Sequence, residues 1–232
     1  MTVSVVTCES ELNSAKRLGF PTYTRLRLDP GHTVIRWGKS SKLDNGDEYA
    51  SVVNKRNSIL LNVNKLEALR KIATATDTPA FFVDRANFDG KVLIRPLEHR
   101  AGEDFEVVDG PCDIKSGYYG TAWINTEVEY RVWFAWDHTL IARRVPFGRN
   151  RRNDEYPCRS NWGYKFREEW DRPGLRIRTL RARKAIGLDL GAADVLVKNQ
   201  KYLFLELNSA PTVDTKEIRE FFQTAIKEKI GE

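Results

Sequence analysis

The most constraining feature of this 232-residue chain is a pair of apolar runs near its carboxyl terminus. A helix end, a glycine turn and the first run occupy residues 185–197, and the second run begins at Tyr202. Between them lies the polar tetrapeptide Lys198-Asn199-Gln200-Lys201. Aliphatic, aromatic and β-branched runs on either side of a polar turn predict a β-hairpin. Three side chains with oxygen ligands accompany this hairpin: Asp194, Glu206 and Asn208.

The register of the hairpin decides whether these three side chains meet. Side chains of a strand alternate between its faces, so Glu206 and Asn208 are expected on one face. A loop with an odd number of residues would place Asp194 directly opposite Glu206, whereas a loop of two or four would put the two carboxylates on opposite faces. The core face of the second strand is expected to carry its leucines: Leu203, Leu205 and Leu207.

Two interpretations of these oxygen-bearing side chains stay open at this point. Two carboxylates and an amide oxygen in one patch suit Mg²⁺ or Mn²⁺, and these ions commonly bind substrate phosphates as well. Alternatively, Glu206 lies on an exposed strand and Asn208 only begins a turn before Pro211. The choice depends on whether the rest of the chain supplies groups that bind phosphate.

Composition sets the broad class of protein. With 41% apolar residues, the chain can bury the core of one large domain or of two small lobes, as an ordinary soluble globular protein does. Its three cysteines are far apart and show no Cys-x-x-Cys spacing, which argues against a disulfide framework or a zinc site and predicts a reducing, cytoplasmic setting. No apolar run is long enough to cross a bilayer, so no membrane partner is expected. The net charge of +6 favours anionic partners, which are nucleotide phosphates, nucleic acid or an acidic protein.

Two helices are predicted by their amino-terminal caps. Asn64 and Glu67 have capping-box spacing, and the apolar repeat after them predicts a helix over residues 65–75. Asp214 and Glu217 repeat the arrangement before the last apolar repeat of the chain. Both helices are expected to serve packing.

Two other stretches give contrasting predictions. Residues 172–184 predict a helix that Gly187 terminates, although its apolar stripe is imperfect. The polar stretch that runs from Lys39 to Asn57 shows no usable periodicity and predicts a surface loop.

A second hairpin carries many arginines. Residues 128–136 alternate so that Glu129, Arg131 and Trp133 share one face, and residues 140–145 return beside them. The returning strand and the loop after it contain Arg143, Arg144, Arg149, Arg151, Arg152 and Arg159. Planar guanidinium forks suit phosphate oxygens, whereas the alternative is a solvated basic surface.

A further candidate phosphate loop lies upstream. Residues 91–95 and 105–108 predict two strands, and the connection between them begins at Arg95 and contains Gly102. Backbone amides at the mouth of such a hairpin are free to meet an anion. The alternative is a plain connection, because one glycine does not define a phosphate loop.

In the order of these motifs, the chain resembles the ATP-grasp superfamily, and especially the compact ATP-grasp proteins encoded by tailed phages. The resemblance runs from about residue 62 to residue 211, with a fainter match at residues 34–40, and its most specific parts are residues 187–195 and 205–211. It implies an α+β ATP-grasp fold, in which two α+β lobes with antiparallel sheets clasp a nucleotide. The implied division is a reduced amino-terminal segment of residues 1–60 and an ATP-grasp domain of residues 61–232, with a small lobe at about 76–122 and a large lobe at about 123–232.

The resemblance also implies site residues. It makes Asp194, Glu206 and Asn208 the magnesium ligands. It implies that Arg131 contacts phosphate or an acyl-phosphate intermediate, and that Arg143 or Arg144 faces phosphate from the returning strand. The catalytic candidates are therefore Arg131 and Arg144, and Arg95 stands where the family carries a phosphate-binding lysine. Nucleotide contacts are implied for Arg95, Gly102, Lys115, Trp123, Arg143 and Asn161.

The activity implied by the resemblance is that of an ATP-dependent ligase. A carboxylate would react with ATP to give an acyl phosphate, which an amine, or occasionally a thiol, would displace with release of ADP and phosphate. ATP and Mg²⁺ or Mn²⁺ would be the cofactors, and an amino acid, peptide, protein or modified base would be the acceptor, in the cytoplasm or in the host cytoplasm if a phage encodes the protein. The alternative is a nucleotide- or nucleic-acid-binding module without ligase turnover, motivated by Arg95 and by the basic stretch 143–152. A glycosidase with paired carboxylates would explain neither the arginines nor Asn208.

Overall fold

The amino-terminal sheet is the only parallel one among the residues described. The computed structural model describes residues 2–24, 31–42, 49, 51–97, 105–126, 128–146, 162–166 and 172–231. The parallel sheet has the order β2-β1-β3-β4. Its strands β1 and β3 are buried along their whole length, as expected for parallel strands covered on both faces. The strands are β1 (Val3–Thr7), β2 (Thr22–Tyr23), β3 (Thr33–Trp37) and β4 (Ser51–Val53).

Three helices accompany this sheet and lead to the next one. They are α1 (Leu12–Lys16), which follows a 3-10 turn at Glu9–Glu11, α2 (Arg56–Val63) and α3 (Lys65–Ala73). The predicted cap of α3 is confirmed, because the Asn64 side chain accepts a hydrogen bond from the Glu67 backbone N–H at 3.2 Å. The prediction of a surface loop up to Asn57 is wrong, since β4 and the start of α2 lie within it.

The second sheet is antiparallel, with the order β5-β10-β7-β8. Helix α3 packs against it through Leu66 and Leu69, which join Tyr119 in one buried cluster. A separate two-stranded ladder pairs β6 with β9. The six strands are β5 (Phe81–Phe82), β6 (Arg85–Ala86), β7 (Lys91–Pro96), β8 (Glu106–Asp109), β9 (Cys112–Asp113) and β10 (Tyr118–Ala122).

The third sheet is antiparallel and has five strands in the order β13-β12-β11-β14-β15. Helix α4 (Pro173–Ile186) ends at Gly187, whose φ of 81° is left-handed, as predicted. Helix α5 (Lys216–Ile230) begins after Thr215, whose side chain accepts from the Ile218 N–H, so the predicted cap at Asp214 is wrong by one residue. The strands are β11 (Val128–Ala135), β12 (His138–Pro146), β13 (Trp162–Lys165), β14 (Leu190–Lys198) and β15 (Lys201–Asn208).

The two faces of the five-stranded sheet differ, and the alternation predicted for β11 is confirmed. On one face, Tyr130, Val132 and Phe134 share a core with α4. On the other, Trp133 belongs to a core that includes residues of the parallel sheet and of α5. Because Glu129 and Arg131 alternate with Tyr130 and Val132, they lie on the face opposite α4.

A β-bulge sets the register of the β14–β15 hairpin. Its turn has two residues, Asn199 and Gln200, with φ of 48° and 62°, and Lys198 pairs with Lys201. An uninterrupted ladder from this turn would pair Asp194 with residue 205. Instead, Val195 pairs with Phe204 and Asp194 with Glu206, which leaves residue 205 as the extra residue of a β-bulge. The expectation that a two-residue loop would put the carboxylates on opposite faces is wrong, because the bulge shifts the register and Asp194 faces Glu206.

The same bulge changes which residues of β15 enter the core. Phe204 and Leu207 are fully buried, whereas Leu203 and Leu205 are only partly buried. The predicted leucine face is therefore wrong in two of its three members. The strand alternates regularly only on each side of the bulge, so buried positions are spaced by three residues rather than two.

None of the described helices is both long enough and apolar enough to cross a membrane.

Candidate functional site

Two carboxylates and one amide meet at the end of the β14–β15 hairpin. The Asn208 Nδ2 atom lies 3.2 Å from the Asp194 Oδ2 atom and 3.3 Å from the Glu206 Oε1 atom, so it donates to both. Gly191 lets the backbone of Asn208 lie close to β14, since a Cβ at position 191 would lie 2.6 Å from the Asn208 carbonyl oxygen. The three oxygen-bearing side chains singled out in the sequence thus form one cluster, which we call the carboxylate cluster.

Arginines of β11 and β12 flank the carboxylate cluster. Arg131 pairs with Asp194 across the β11–β14 ladder, and its Nη1 atom lies 3.4 Å from the Asp194 Oδ1 atom. Arg144 donates to Glu129 at 2.6 Å, and the Glu129 side chain is only 4% exposed. Both arginine side chains are largely buried, so their charges act on the site through little water.

A lysine from a different part of the chain forms an ion pair with Glu206 of the carboxylate cluster. Lys65 is the first residue of α3, and its Nζ atom lies 3.2 Å from the Glu206 Oε2 atom. The two side chains are 16% and 28% exposed, respectively. The capped start of α3 fixes where this ammonium group lies, because the Asn64 cap sets the position of the first helical turn.

Arg95 approaches the same carboxylate from the second sheet. It is 8% exposed, donates from Nη2 to the Thr121 hydroxyl at 3.0 Å, and lies with its Cζ atom 5.0 Å from the centroid of the Tyr119 ring. Its charge is one of the influences that lower the Glu206 pKa. The site therefore lies where the second and third sheets meet.

These charges move the two carboxyl groups in opposite directions. Burial raises the pKa of Asp194, and the nearby Arg131 guanidinium only partly opposes this. Burial is also the largest single influence on Glu206 and raises its pKa, but the charge and hydrogen bond of Lys65, the charge of Arg95 and the hydrogen bond of Asn208 together outweigh it and lower the pKa of Glu206 to about 2. Glu206 is thus ionised at neutral pH, whereas Asp194 is held in a site where its negative charge is costly.

The residues present fit a divalent cation. The buried Asp194 Oδ1 atom makes no hydrogen bond and has only the ion pair with the Arg131 Nη1 atom at 3.4 Å, so it keeps lone pairs that a cation can use. A half-turn of the Asn208 amide would exchange its N–H donors for an oxygen acceptor between the carboxylates. No group of three or more His, Cys, Asp or Glu side chains could hold a metal ion in the part of the chain that the structure describes. The protein would thus supply two carboxylates and an amide, leaving other positions for water and phosphate, as is usual for Mg²⁺.

The remaining predicted site residues lie elsewhere or outside the described residues. Arg143 pairs with Tyr130, which faces α4, so the register puts Arg143 on the opposite face from Arg131, and of the two arginines offered for the returning strand only Arg144 lies on the face of Arg131. Lys115 is exposed, with its Nζ atom 3.9 Å from the centroid of the Tyr118 ring. Trp123 is half-buried after β10 and donates its backbone N–H to the Lys91 carbonyl at 2.8 Å. Gly102 and Asn161 lie outside the described residues.

Sequence reasoning missed two charged residues of the site. Glu129 was predicted on the correct face of β11, but no role followed from that position. Lys65 was predicted only as the start of a helix. Its partner Glu206 is distant in sequence, and no local pattern connects the two.

Replacing Lys65 with Met should make the metal-free protein unfold at a higher pH during acid titration. The folded-state pKa of Glu206 is lowered from 4.5 to about 2, so this group stabilises the fold above pH 4.5, and the stabilisation is lost as the pH falls towards 2. Without the ammonium group, the folded-state pKa of Glu206 rises, so Glu206 contributes less to the free energy of unfolding. The variant therefore needs less acid to unfold. Far-UV circular dichroism in the presence of EDTA measures the midpoint. Lys71→Met, on the exposed side of the same helix, is the control, and equal midpoints for the two variants would contradict the prediction.

Comparison with known structures identifies the fold as ATP-grasp. The chain aligns with the ATP-grasp ligase PsnB, solved with a minimal precursor, Mg and ADP, at a TM-score of 0.66 and 14% identity, over 99% of this chain and 96% of that one. It aligns with the macrocyclase MdnC of Microcystis aeruginosa MRC, bound to the precursor peptide MdnA, at 0.62 and 14%, over 99% of both chains. D-alanine–D-alanine ligase of Bacillus anthracis, complexed with ATP, gives 0.64 and 12%, over 99% of this chain and 98% of that one.

Comparison by sequence finds no match. No protein-family profile matches the chain, and no curated protein sequence does. The ATP-grasp fold and its α+β class are therefore established by structural likeness over nearly the whole chain. The predicted domain boundaries and the likeness to phage proteins stay predictions.

Proposed function

We propose that this protein is an ATP-dependent carboxylate–amine ligase that acts through an acyl phosphate. One observation carries the proposal: Asp194, Glu206 and Asn208, distributed over two strands, converge on one cluster surrounded by cationic side chains. The cations come from four separate elements, as Lys65, Arg95, Arg131 and Arg144. Side chains that can bind a metal ion, surrounded by cationic side chains, suit a nucleoside triphosphate, because its phosphates are negatively charged.

In the proposed first step, an oxygen of the substrate carboxylate attacks the γ-phosphorus of ATP. The bond from that phosphorus to the β–γ bridging oxygen breaks, giving an acyl phosphate and ADP. Asp194, Glu206 and Asn208 would hold Mg²⁺, which supplies neutralisation of phosphate charge when bound. Lys65 and Arg95 are suited to neutralise the remaining phosphate oxygens, so the attacking carboxylate meets less repulsion.

In the proposed second step, an amine attacks the acyl carbon and a tetrahedral oxyanion develops. The carbon–oxygen bond to phosphate then breaks, phosphate leaves, and the nitrogen loses a proton to give the amide. Arg131 is suited to stabilise the oxyanion, because its guanidinium is largely buried and is held beside Asp194 by the register of β11 with β14. Arg144 is directed by Glu129, which keeps this second arginine oriented within the same face of the sheet.

The test uses ATP, Mg²⁺ and pools of amino acids and peptides whose carboxylates carry oxygen-18. Formation of an acyl phosphate requires one carboxylate oxygen to appear in the released phosphate, so mass spectrometry of phosphate is the measurement. We expect ADP and labelled phosphate to form in equal amounts with the amide product. AMP and pyrophosphate as products would instead indicate an acyl adenylate and would refute the proposed step.

A nucleotide-binding module without turnover is the second candidate. It is favoured by Arg95, whose fork is already engaged by the Thr121 hydroxyl and stacked near two aromatic rings, Phe105 and Tyr119. An arginine fixed in this way is less free to follow a transferring phosphate than a lysine. ATP binding by calorimetry, together with no ADP from any acceptor pool, would support this candidate over the ligase.

A further inference from the structure

One short stretch of the chain, around helix α4, carries many basic residues and no acidic one. The whole chain has 38 basic and 32 acidic residues. Residues 172–188 contain six of the basic residues and no acidic one, so the rest of the chain is balanced at 32 of each. The nearest acidic residues in sequence, Asp171 and Asp189, lie just beyond its two ends. The six basic residues are Arg172, Arg176, Arg178, Arg181, Arg183 and Lys184.

The basic residues of helix α4 differ in burial: Arg183 is buried, whereas others form an exposed basic face. Arg183 is buried, donates to the Leu188 carbonyl at 2.8 Å and lies 3.6 Å from Asp137, so it stabilises the end of the helix. By contrast, Arg181 and Lys184 are exposed, and the exposed Ile177 lies between them and the amino-terminal turn. The opposite side of the helix is anchored in the core by Leu175, Ala182 and Ile186.

An aromatic ring extends the basic face onto the neighbouring strand. The Arg178 Cζ atom lies 5.5 Å from the centroid of the Tyr202 ring. The interaction of Arg172 with the Tyr202 side chain is the main cause that raises the Arg172 pKa. Lys201, the residue before Tyr202, is exposed at the hairpin turn. We call these cationic side chains, together with the half-buried tyrosine, the α4 surface: Arg172, Arg178, Arg181, Lys184, Lys201 and Tyr202.

We infer that the α4 surface binds the phosphodiester backbone of a nucleic acid. Guanidinium forks match phosphate oxygens in pairs, and aromatic rings beside arginines provide stacking platforms for unpaired bases. A helix of 14 residues is about 21 Å long, and each nucleic-acid strand carries a charge about every 3.4 Å, so several phosphates fall within its span. An acidic polypeptide would satisfy the charges but would make less use of Tyr202.

The α4 surface is separate from the proposed ligase site. The apolar side of α4 packs on Tyr130 and Val132, and these residues alternate along β11 with Arg131 of the site. The two surfaces consequently lie on opposite faces of the five-stranded sheet. Binding at the α4 surface is therefore open to measurement whether or not the ligase reaction occurs.

The test is the salt dependence of binding to a fluorescein-labelled single-stranded oligonucleotide of about 20 nucleotides, followed by anisotropy. We expect the double variant Arg181→Glu with Lys184→Glu to weaken binding at low salt by about tenfold and to reduce the slope of log K against log salt by about 1.4, or about 0.7 for each phosphate that is no longer neutralised. The matched control is Arg219→Glu with Lys227→Glu on α5. Both positions are exposed, and the charge change is the same, but α5 also carries Glu217, Glu220 and Glu228.

Any one of three outcomes would overturn the inference. The first is that the native protein does not bind the oligonucleotide at low salt. The second is that both double variants weaken binding equally, which would reflect net charge alone. The third is that poly-glutamate binds the α4 surface while the oligonucleotide fails to compete. Circular dichroism on both double variants establishes that they are folded, and weaker binding confined to the α4 double variant, with an intact fold, supports the inference.

Discussion

Asp194→Asn is expected to lower ADP formation by about 10²- to 10³-fold while leaving the fold intact. Losses of this size follow the removal of a single group that stabilises charge in a transition state. The substitution keeps the size of the side chain but removes the charge that a divalent cation would neutralise. Burial raises the pKa of Asp194 by more than the Arg131 guanidinium lowers it, so removing this charge relieves a desolvation cost that offsets the loss of the ion pair with Arg131, and we expect the metal-free variant to unfold at about the same temperature as the native protein.

The response to Mg²⁺ distinguishes a lost metal site from general destabilisation of Asp194→Asn. Mg²⁺ with ATP should raise the melting temperature of the native protein, because a ligand that binds only the folded state stabilises it by mass action, and this rise should be lost in Asp194→Asn. The control is Asp113→Asn, an aspartate whose side chain is 81% exposed and pairs only at the surface with Arg85. A folded Asp194→Asn protein with native activity and a native response to Mg²⁺ would remove the metal site from the proposal.

The carboxylate cluster was predictable because its pattern is local. Apolar runs around a polar turn specify a hairpin, and the alternation of side chains puts Glu206 and Asn208 on one face. The faces of β11 followed from the same rule over eight residues. The same rule selects Arg144 over Arg143 once the turn between β11 and β12 is known to consist of Trp136 and Asp137. The strand ranges taken from the sequence leave a three-residue turn at 137–139, and this difference of one residue changes which arginine faces Arg131.

The bulge at residue 205 was not predictable from these patterns. Leu203, Leu205 and Leu207 have the spacing of a regular strand, and burial of Phe204 in place of two of them depends on the core beneath α4. A bulge is decided by packing against other elements, which a single strand's sequence does not describe. Helix α2 was missed for a related reason: its apolar residues are consecutive, and only Ile59 and Asn62 are buried, so no helical period is visible.

The pairing of Arg131 with Asp194 predicts strong coupling between substitutions at the two positions. Arg131→Gln leaves a buried carboxylate without its neighbouring cation, and removal of one partner of a buried pair costs about 3 kcal/mol. In the double variant Arg131→Gln with Asp194→Asn, neither charge remains, so most of this destabilisation should disappear. Activity should behave differently from stability: each single variant should lose turnover, and the double variant should recover none of it.

Chemical denaturation of the four proteins in a double-mutant cycle measures the coupling, and ADP formation on the same samples measures turnover. The comparison cycle uses Arg85 and Asp113, whose side chains are 60% and 81% exposed and lie 3.1 Å apart, because a surface pair contributes little to stability. Additive stability changes at Arg131 and Asp194 would show that the two charges do not interact. Recovery of turnover in the double variant would mean that the pair serves the fold alone, and the role of Arg131 at the developing oxyanion would then be refuted.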